Sequence, residues 1–223
     1  MKIAFLGNSL VEGSYGGNFV AEVAALLPDH TIINAGRNGS TILNLLRRLD
    51  DVLAQEPDGV FVLCGGNDAI SYYQPDTRRY YEQVQGVPGG VVTPELYMQS
   101  YRDLLTRIQL AHALAWVALA PVEYSPETVA AMQHYNGLAR EVAVSLNVPT
   151  LDLLAALAPQ QVQPRPPLSL KTINLIGQRI ASGWANYEAE RQREGYTFTF
   201  DGLHLTPDSA KQVARLVVEF LAL

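Results

Sequence analysis

Cysteine is nearly absent: Cys64 is the only one in 223 residues. No intrachain disulfide can form, and a reducing compartment is acceptable. Long hydrophobic runs are missing too. No stretch approaches the ~20 apolar residues of a membrane span. The apolar run at the start, Ile3 to Leu6, is too short for the core of a signal peptide, and no small-residue cleavage site follows it. A cytoplasmic location is the expectation. Basic residues are outnumbered, 16 Lys and Arg against 22 Asp and Glu, for a net charge of −6. A protein that grips nucleic acid needs a basic footprint to displace counterions from phosphates, and an anionic membrane surface asks the same. Neither partner is expected. Four scattered histidines, without acidic or cysteine partners at ligand spacing, offer no metal site. His30, His112 and His134 fall outside every motif and read as surface or helix residues.

What is present is a globular composition, 48% hydrophobic and 17% charged. Short apolar runs of β type alternate with longer helical patterns. The runs are Ile3–Leu6, Thr31–Asn34, Val60–Cys64, Trp116–Leu119 and about Thr150–Leu153. Helices are expected at Phe19–Leu27, at about Pro94–His112, at about Pro126–Leu146 and after Thr206-Pro207-Asp208. Another is expected where Ile42, Leu45, Leu46, Leu49, Val52 and Leu53 recur near a 3.6 period. Thr206 can cap the last helix, and Pro207 suits its first turn. Such alternation implies a parallel sheet covered on both faces. The expected architecture is a three-layer α/β/α sandwich with a flavodoxin-like five-stranded sheet.

The chain reads as one domain over 1–223 with two segments beyond the minimal pattern. One, about 71–93, carries Tyr72, Tyr73, Tyr80 and Tyr81, the leading candidates for pocket walls. The other, about 158–199, opens with Pro159, Pro164, Pro166 and Pro167. It then shows an amphipathic helix with Ile173, Ile176, Ile180, Trp184 and Tyr187 on one face. That face is expected to be core. Long insertions are often lids or binding loops.

Four short signals carry the chemistry. Gly7-Asn8-Ser9-Leu10 follows the first strand, Asn34 to Thr41 the second, and Gly65-Gly66-Asn67-Asp68 the third. Asp201-Gly202-Leu203-His204 precedes the last helix. In an open parallel sheet the first three lie together at the carboxyl ends of the strands. A serine hydroxyl becomes a useful nucleophile beside a base, and a histidine base needs a carboxylate to fix its tautomer. Ser9, His204 and Asp201 fit those roles. A tetrahedral intermediate needs donors aimed at its oxyanion. The Ser9 N–H, a glycine N–H after the second strand and the Asn67 amide can supply them. Asn67-Asp68 can also be read as a plain turn, and Asp68 receives no role. Cys64 reads as a small buried hydrophobe.

In their order and spacing these blocks resemble those of the SGNH, or GDSL-like, hydrolases. The resemblance implies an ester hydrolase that works through an acyl-Ser9 intermediate with no metal or organic cofactor. It also implies oxyanion donors at Ser9, Gly39 and Asn67. Gly39 is preferred to Gly36 because it sits just before the Ser-Thr that opens the next helix. The family's aspartate before the serine is Asn8 here, which keeps hydrogen-bonding capacity and loses the charge. Relatives include lipid esterases, thioesterases, lysophospholipases and carbohydrate deacetylases. Small or short-acyl esters are favoured as substrates, since no amphipathic membrane-docking stretch is evident. A carbohydrate or lysophospholipid deacylase, or an idle fold kept as a binding module, is the alternative. No G-x-S-x-G elbow and no G-x-G-x-x-G turn after the first strand is present.

Overall fold

In the computed structural model, residues 1–159 and 161–222 are described. The chain runs β1 (Lys2–Gly7), α1 (Ser9–Glu12), α2 (Phe19–Leu26), β2 (Thr31–Gly36), α3 (Ile42–Arg47), α4 (Leu49–Leu53) and β3 (Gly59–Cys64). It continues through α5 (Gly66–Tyr73), α6 (Arg78–Gln83), α7 (Pro94–Leu110), β4 (Leu114–Leu119), α8 (Pro126–Ser145), β5 (Thr150–Asp152) and α9 (Leu153–Leu157). It ends with α10 (Leu170–Ala181), α11 (Tyr187–Glu194) and α12 (Pro207–Leu221).

The five strands are parallel, in the order β2-β1-β3-β4-β5. This is the flavodoxin-like order, with the chain reversing direction across the sheet between β1 and β3. The central strands β1 and β3 are apolar along their length because helices cover them from both sides. Phe5 and Phe61 pack with tilted rings in the middle, flanked by Phe19 of α2 and Phe220 of α12. The helices form two packed groups: α2 with α12, and α7 between α3 and α8, with α5 against α8. No helix among the described residues is long and apolar enough to cross a membrane.

Register sets the position of the loops. Gly7 pairs with Gly36 on one side and with Leu63 on the other, so β1, β2 and β3 end level with one another. The segments that follow them therefore open on one edge.

Two expectations need correction. The helix drawn through Ile42–Leu53 is divided at Arg48 into α3 and α4. The reason is the Arg48 side chain, which is buried and turned under the sheet edge. Its guanidinium donates to Gly7 O (2.5 Å), Ala35 O (3.3 Å) and Ser40 Oγ (3.0 Å). It thereby ties the ends of β1 and β2 to the loop that follows β2. Burial lowers its pKa to about 10.

The face from Ile173 to Tyr187 is not core. No residue of α10 is buried, and Ile173, Ile176 and Ile180 instead wall an open cleft. Trp184 and Tyr187 pack against Phe200. The single helix expected to carry all five residues is also shorter: α10 ends at Ala181, Trp184 lies in the connection after it and Tyr187 opens α11, so the apolar stripe of α10 holds only Ile173, Ile176 and Ile180. What it faces depends on where α10 lands, which periodicity does not encode.

Arg48→Ala should lower stability by about 3 kcal/mol or more, because two strand-end carbonyls and a hydroxyl lose their donor inside the protein. Urea unfolding checks this. A loss under about 1 kcal/mol would show that water satisfies those groups equally well.

Candidate active site

The strand ends and the final loop meet at one place. Ser9 is the first residue of α1, directly after β1. Its neighbour Asn8 is buried and caps the turn, with Oδ1 accepting from Leu10 N–H at 3.1 Å. The cap needs an acceptor oxygen and no charge, so asparagine serves as well as aspartate would.

His204 Nε2 lies 3.0 Å from Ser9 Oγ, and His204 Nδ1 lies 2.8 Å from Asp201 Oδ2. The other Asp201 oxygen accepts from the N–H groups of Leu203 (2.9 Å) and His204 (2.8 Å). Burial by itself would push the Asp201 carboxyl up. The facing imidazole and these N–H groups outweigh it and hold Asp201 below the usual carboxylate range. An imidazole held between a hydroxyl and an ionised carboxylate can accept the hydroxyl proton and remain oriented as it does so. Tyr15 packs edge-on against the His204 ring, and Phe200 lies stacked beside it.

The Asp201–His204 loop is anchored by a residue the motif reading did not single out. Glu123, just beyond β4, is 1% exposed. Its carboxylate accepts from the N–H groups of Thr197 (2.8 Å), Phe198 (2.8 Å) and Thr199 (2.6 Å) and from Thr199 Oγ1 (2.8 Å). Glu123 N–H in turn donates to Gly202 O at 3.0 Å. Gly202 has φ +85°, and a Cβ there would collide with Tyr124. The available sequence signal was an acid just after an apolar strand, with no local partner.

Gly39 and Asn67 join Ser9 and His204 on one cleft. Gly39 has φ +71°, which favours glycine, and a Cβ on it would push against the Tyr80 hydroxyl and the Gln85 amide. Gly36 lies outside this cleft and packs against the backbone of α1, where a Cβ would collide with Glu12. Asn67 Nδ2 donates to Ser40 O at 3.0 Å, and Asn67 Oδ1 accepts from the Tyr81 hydroxyl at 3.0 Å. One N–H of the amide remains. Among the described residues no protein acceptor takes the N–H of Ser9 or of Gly39.

Asp68, left without a role on sequence grounds, is fully buried. Its Oδ1 accepts from Ile42 N–H (2.9 Å) at the start of α3, and Cys64 Sγ lies 3.4 Å from Oδ2. Asp68 thus pins the loop after β2 to the start of α5. Burial pushes its carboxyl up to about 7, against the lowering effect of the bonds from Ile42 and Cys64. Cys64 is buried, as expected.

Two cavities flank the Ser9–His204 pair. The first, of about 60 Å³, is mostly apolar and is walled by α5, by α8 and by Ala120, Pro121 and Val122. The second, of about 270 Å³, lies between Tyr80, Tyr81 and the apolar side of α10, with Asn38, Thr77 and Thr172 among its polar groups. Of the four tyrosines named from sequence, Tyr73 lines the first cavity, and Tyr80 and Tyr81 line the second. Tyr72 packs away from both, against Tyr135.

A serine, an imidazole and a carboxylate in line at the carboxyl edge of a parallel sheet define a hydrolase of the serine-nucleophile class. The model of the GDSL-like lipase/acylhydrolase family matches residues 5–211, and the chain belongs to that family of SGNH-type ester hydrolases. Solved structures are similar over nearly the whole chain. An acetyl xylan esterase superposes with a TM-score of 0.66 at 19% identity, covering 98% of either chain. An acetylxylan esterase from Geobacillus stearothermophilus gives a TM-score of 0.67 at 19% identity, over 100% of this chain and 94% of its own. A lipase/acylhydrolase from Enterococcus faecalis gives 0.64 at 20%, over 98% and 93%. At that identity these likenesses establish the fold. No curated protein sequence matches significantly.

Glu123→Gln should lower the melting temperature by several degrees, because an NH₂ group then faces backbone donors; a drop of about 2–4 kcal/mol is expected. An unchanged Tm would mean that the loop is held by other contacts. Asp68 carries a pH signature. Its folded pKa of about 7 lies above the ordinary value of ~3.9. The stabilising contribution of its protonated form is therefore complete below about pH 4 and is lost as pH rises through 7. Asp68→Asn keeps the bond to Ile42 without the charge. The melting temperature of this variant, measured relative to wild type, should rise steadily from pH 4 to pH 8. A constant gap across that range would show Asp68 to be ionised throughout.

Proposed function

We propose that this hydrolase removes short acyl groups, acetyl foremost, from hydroxyls of a carbohydrate, through an acyl-Ser9 intermediate. The observation that carries the reading is the Ser9–His204–Asp201 line standing at the mouth of an apolar cavity of only about 60 Å³. That is less than a quarter of the about 270 Å³ of the neighbouring cleft, and it suits a short acyl group such as acetyl better than a fatty chain. The larger cleft on the other side of Ser9, with Asn38, Thr77 and Thr172 among its polar groups, has room for the alcohol part of the ester. The two acetylxylan esterases that share the fold support the same substrate class. Catalytic mutants of the Geobacillus enzyme alter a serine, an aspartate and a histidine, as the roles proposed here require.

In this mechanism Ser9 Oγ attacks the acyl carbon while His204 Nε2 takes the hydroxyl proton. Asp201 stabilises the imidazolium and keeps its orientation. The N–H groups of Ser9 and Gly39 and the remaining N–H of Asn67 receive the oxyanion. The intermediate collapses as His204 returns the proton to the departing alcohol. Water, deprotonated by the same imidazole, then releases the acid and restores Ser9. No step calls for a metal or cofactor. The segments 71–93 and 158–199 act as walls of the substrate cleft on one catalytic domain.

The apolar side of α10 motivates a second reading, in which the acyl chain lies along Ile173, Ile176 and Ile180 as in a lipid deacylase. One experiment separates the two. p-Nitrophenyl esters from acetyl to decanoyl, and acetylated xylo-oligosaccharides, are assayed with wild type and Ser9→Ala. Acetyl should be the best acyl group, acetate should be released from the oligosaccharide, and Ser9→Ala should abolish both reactions. A decanoyl optimum would move the acyl group to the α10 cleft and overturn the deacetylase reading. Turnover surviving in Ser9→Ala would remove the nucleophile.

A further inference from the structure

The oxyanion donors assigned to Gly39 and Asn67 are both amide N–H groups, and each amide has a carbonyl at its other end. For Asn67 it is the side-chain Oδ1. For Gly39 it is the backbone oxygen of Asn38, which belongs to the same peptide group as the Gly39 N–H. Both oxygens accept a hydrogen bond from one short stretch of chain. The Tyr81 hydroxyl donates to Asn67 Oδ1 at 3.0 Å, and Gln85 Nε2 donates to Asn38 O at 3.2 Å.

Neither donor is a loose surface group. Tyr81 is 2% exposed. Gln85 Nε2 also donates to the Tyr80 hydroxyl at 2.9 Å, and Gln85 O accepts from Asn44 Nδ2 (2.8 Å) and Arg47 Nη1 (3.2 Å) on α3. The helix that carries Tyr80 and Tyr81 is thus stitched to the loop whose N–H it serves. A hydrogen bond accepted at a carbonyl draws electron density toward the oxygen and makes the N–H of that amide a stronger donor. It also fixes which way the Asn67 carboxamide faces, with its nitrogen toward Ser40 and the cleft.

We propose that Tyr81 and Gln85 are positioning residues for the reaction, a clamp that orients and polarises the two amide donors of the oxyanion hole from behind. The proposal rests on the oxyanion roles given to Gly39 and Asn67 above. Charge on the substrate oxygen grows only as the transition state is approached, so the clamp acts on kcat more than on KM.

The test compares wild type, Tyr81→Phe, Gln85→Leu and Asn67→Ala, and adds Tyr81→Phe and Gln85→Leu to the Asn67→Ala background. Turnover of p-nitrophenyl acetate is measured together with inhibition by a boronic acid, which forms a tetrahedral adduct on the serine. Tyr81→Phe and Gln85→Leu should each lower kcat about tenfold, less than the ~10²–10³ expected for losing a donor outright, with KM changed less than about twofold. Boronate affinity should weaken in step with kcat. In the Asn67→Ala background Tyr81→Phe should cost nothing more, while Gln85→Leu should keep its full effect because it serves the other donor.

A folded Tyr81→Phe or Gln85→Leu enzyme with wild-type kcat would overturn the clamp, as would a full Tyr81→Phe loss persisting without Asn67. If Tyr81→Phe fails to fold, the half-buried Gln85 decides the matter alone. The two levels of the argument fail differently. An Asn67→Ala enzyme at the wild-type rate removes the oxyanion role of Asn67, and the Tyr81 half of the clamp with it. A slow Asn67→Ala beside an unimpaired Tyr81→Phe removes the clamp only.

Discussion

His204 reaches Ser9 across 195 positions of sequence, and the contact that makes this meeting dependable is the Glu123 carboxylate on the backbone of Thr197–Thr199. The stretch before Asp201 belongs to no strand of the sheet. Its only β pairing among the described residues is an isolated bridge between Thr199 and Leu205. Three successive N–H groups there face an interior where, unpaired, each would cost on the order of 1–3 kcal/mol. One buried carboxylate answers all three and a hydroxyl besides. The donors meet the desolvation cost of the ion, and the ion meets theirs. What results is a loop held at a fixed distance from β4, and the proposed triad needs that fixity more than it needs stability.

The other half of the site depends on the sheet. Level strand ends at Gly7, Gly36 and Leu63 put three loops on one edge, and Arg48 and Asp68 then lock those loops together. Arg48 joins Gly7, Ala35 and Ser40, and Asp68 joins α3 to α5. Ser40 links this scaffold to the reacting groups, since its hydroxyl meets Arg48 while its carbonyl orients Asn67. Two buried ionisable groups at a sheet edge are costly for a fold in general. Here each satisfies backbone groups at chain reversals, where no ladder or helix bond is available.

The sheet, its order and the main helices were legible because alternating apolar runs and caps are local signals. Ser9, Gly39, Asn67 and His204 were legible as motif residues, and the structure gathers them on one cleft with Asp201 behind the imidazole. Their supports were not. Glu123, Arg48, Tyr81 and Gln85 each act across more than ten residues of sequence on a backbone or amide group. A side chain that bonds backbone leaves no pattern in its partner, because every residue has an N–H and a C=O. The break at Arg48 and the orientation of α10 escaped for the same reason: each is decided by what lies opposite in space.

On the proposed function, specificity follows from an asymmetry that only the folded chain reveals. The smaller cavity, assigned above to the acyl group, is walled by α5, α8 and the exit of β4, and its size is set by close packing. The larger cleft, assigned above to the alcohol, is bounded by α10, which has no buried residue and leaves Leu175 and Ile180 substantially exposed. A wall drawn from the core resists change, since enlarging it opens a void at a cost of some 24 cal/mol per Å³. A wall formed by a partly exposed helix can move or be rewritten at little cost to stability. On the proposed assignment the acyl preference is therefore the harder of the two to change on physical grounds, and the alcohol preference is the one that substitutions along Thr172, Ile173 and Ile176 can change without disturbing Ser9, His204 or the groups that hold them.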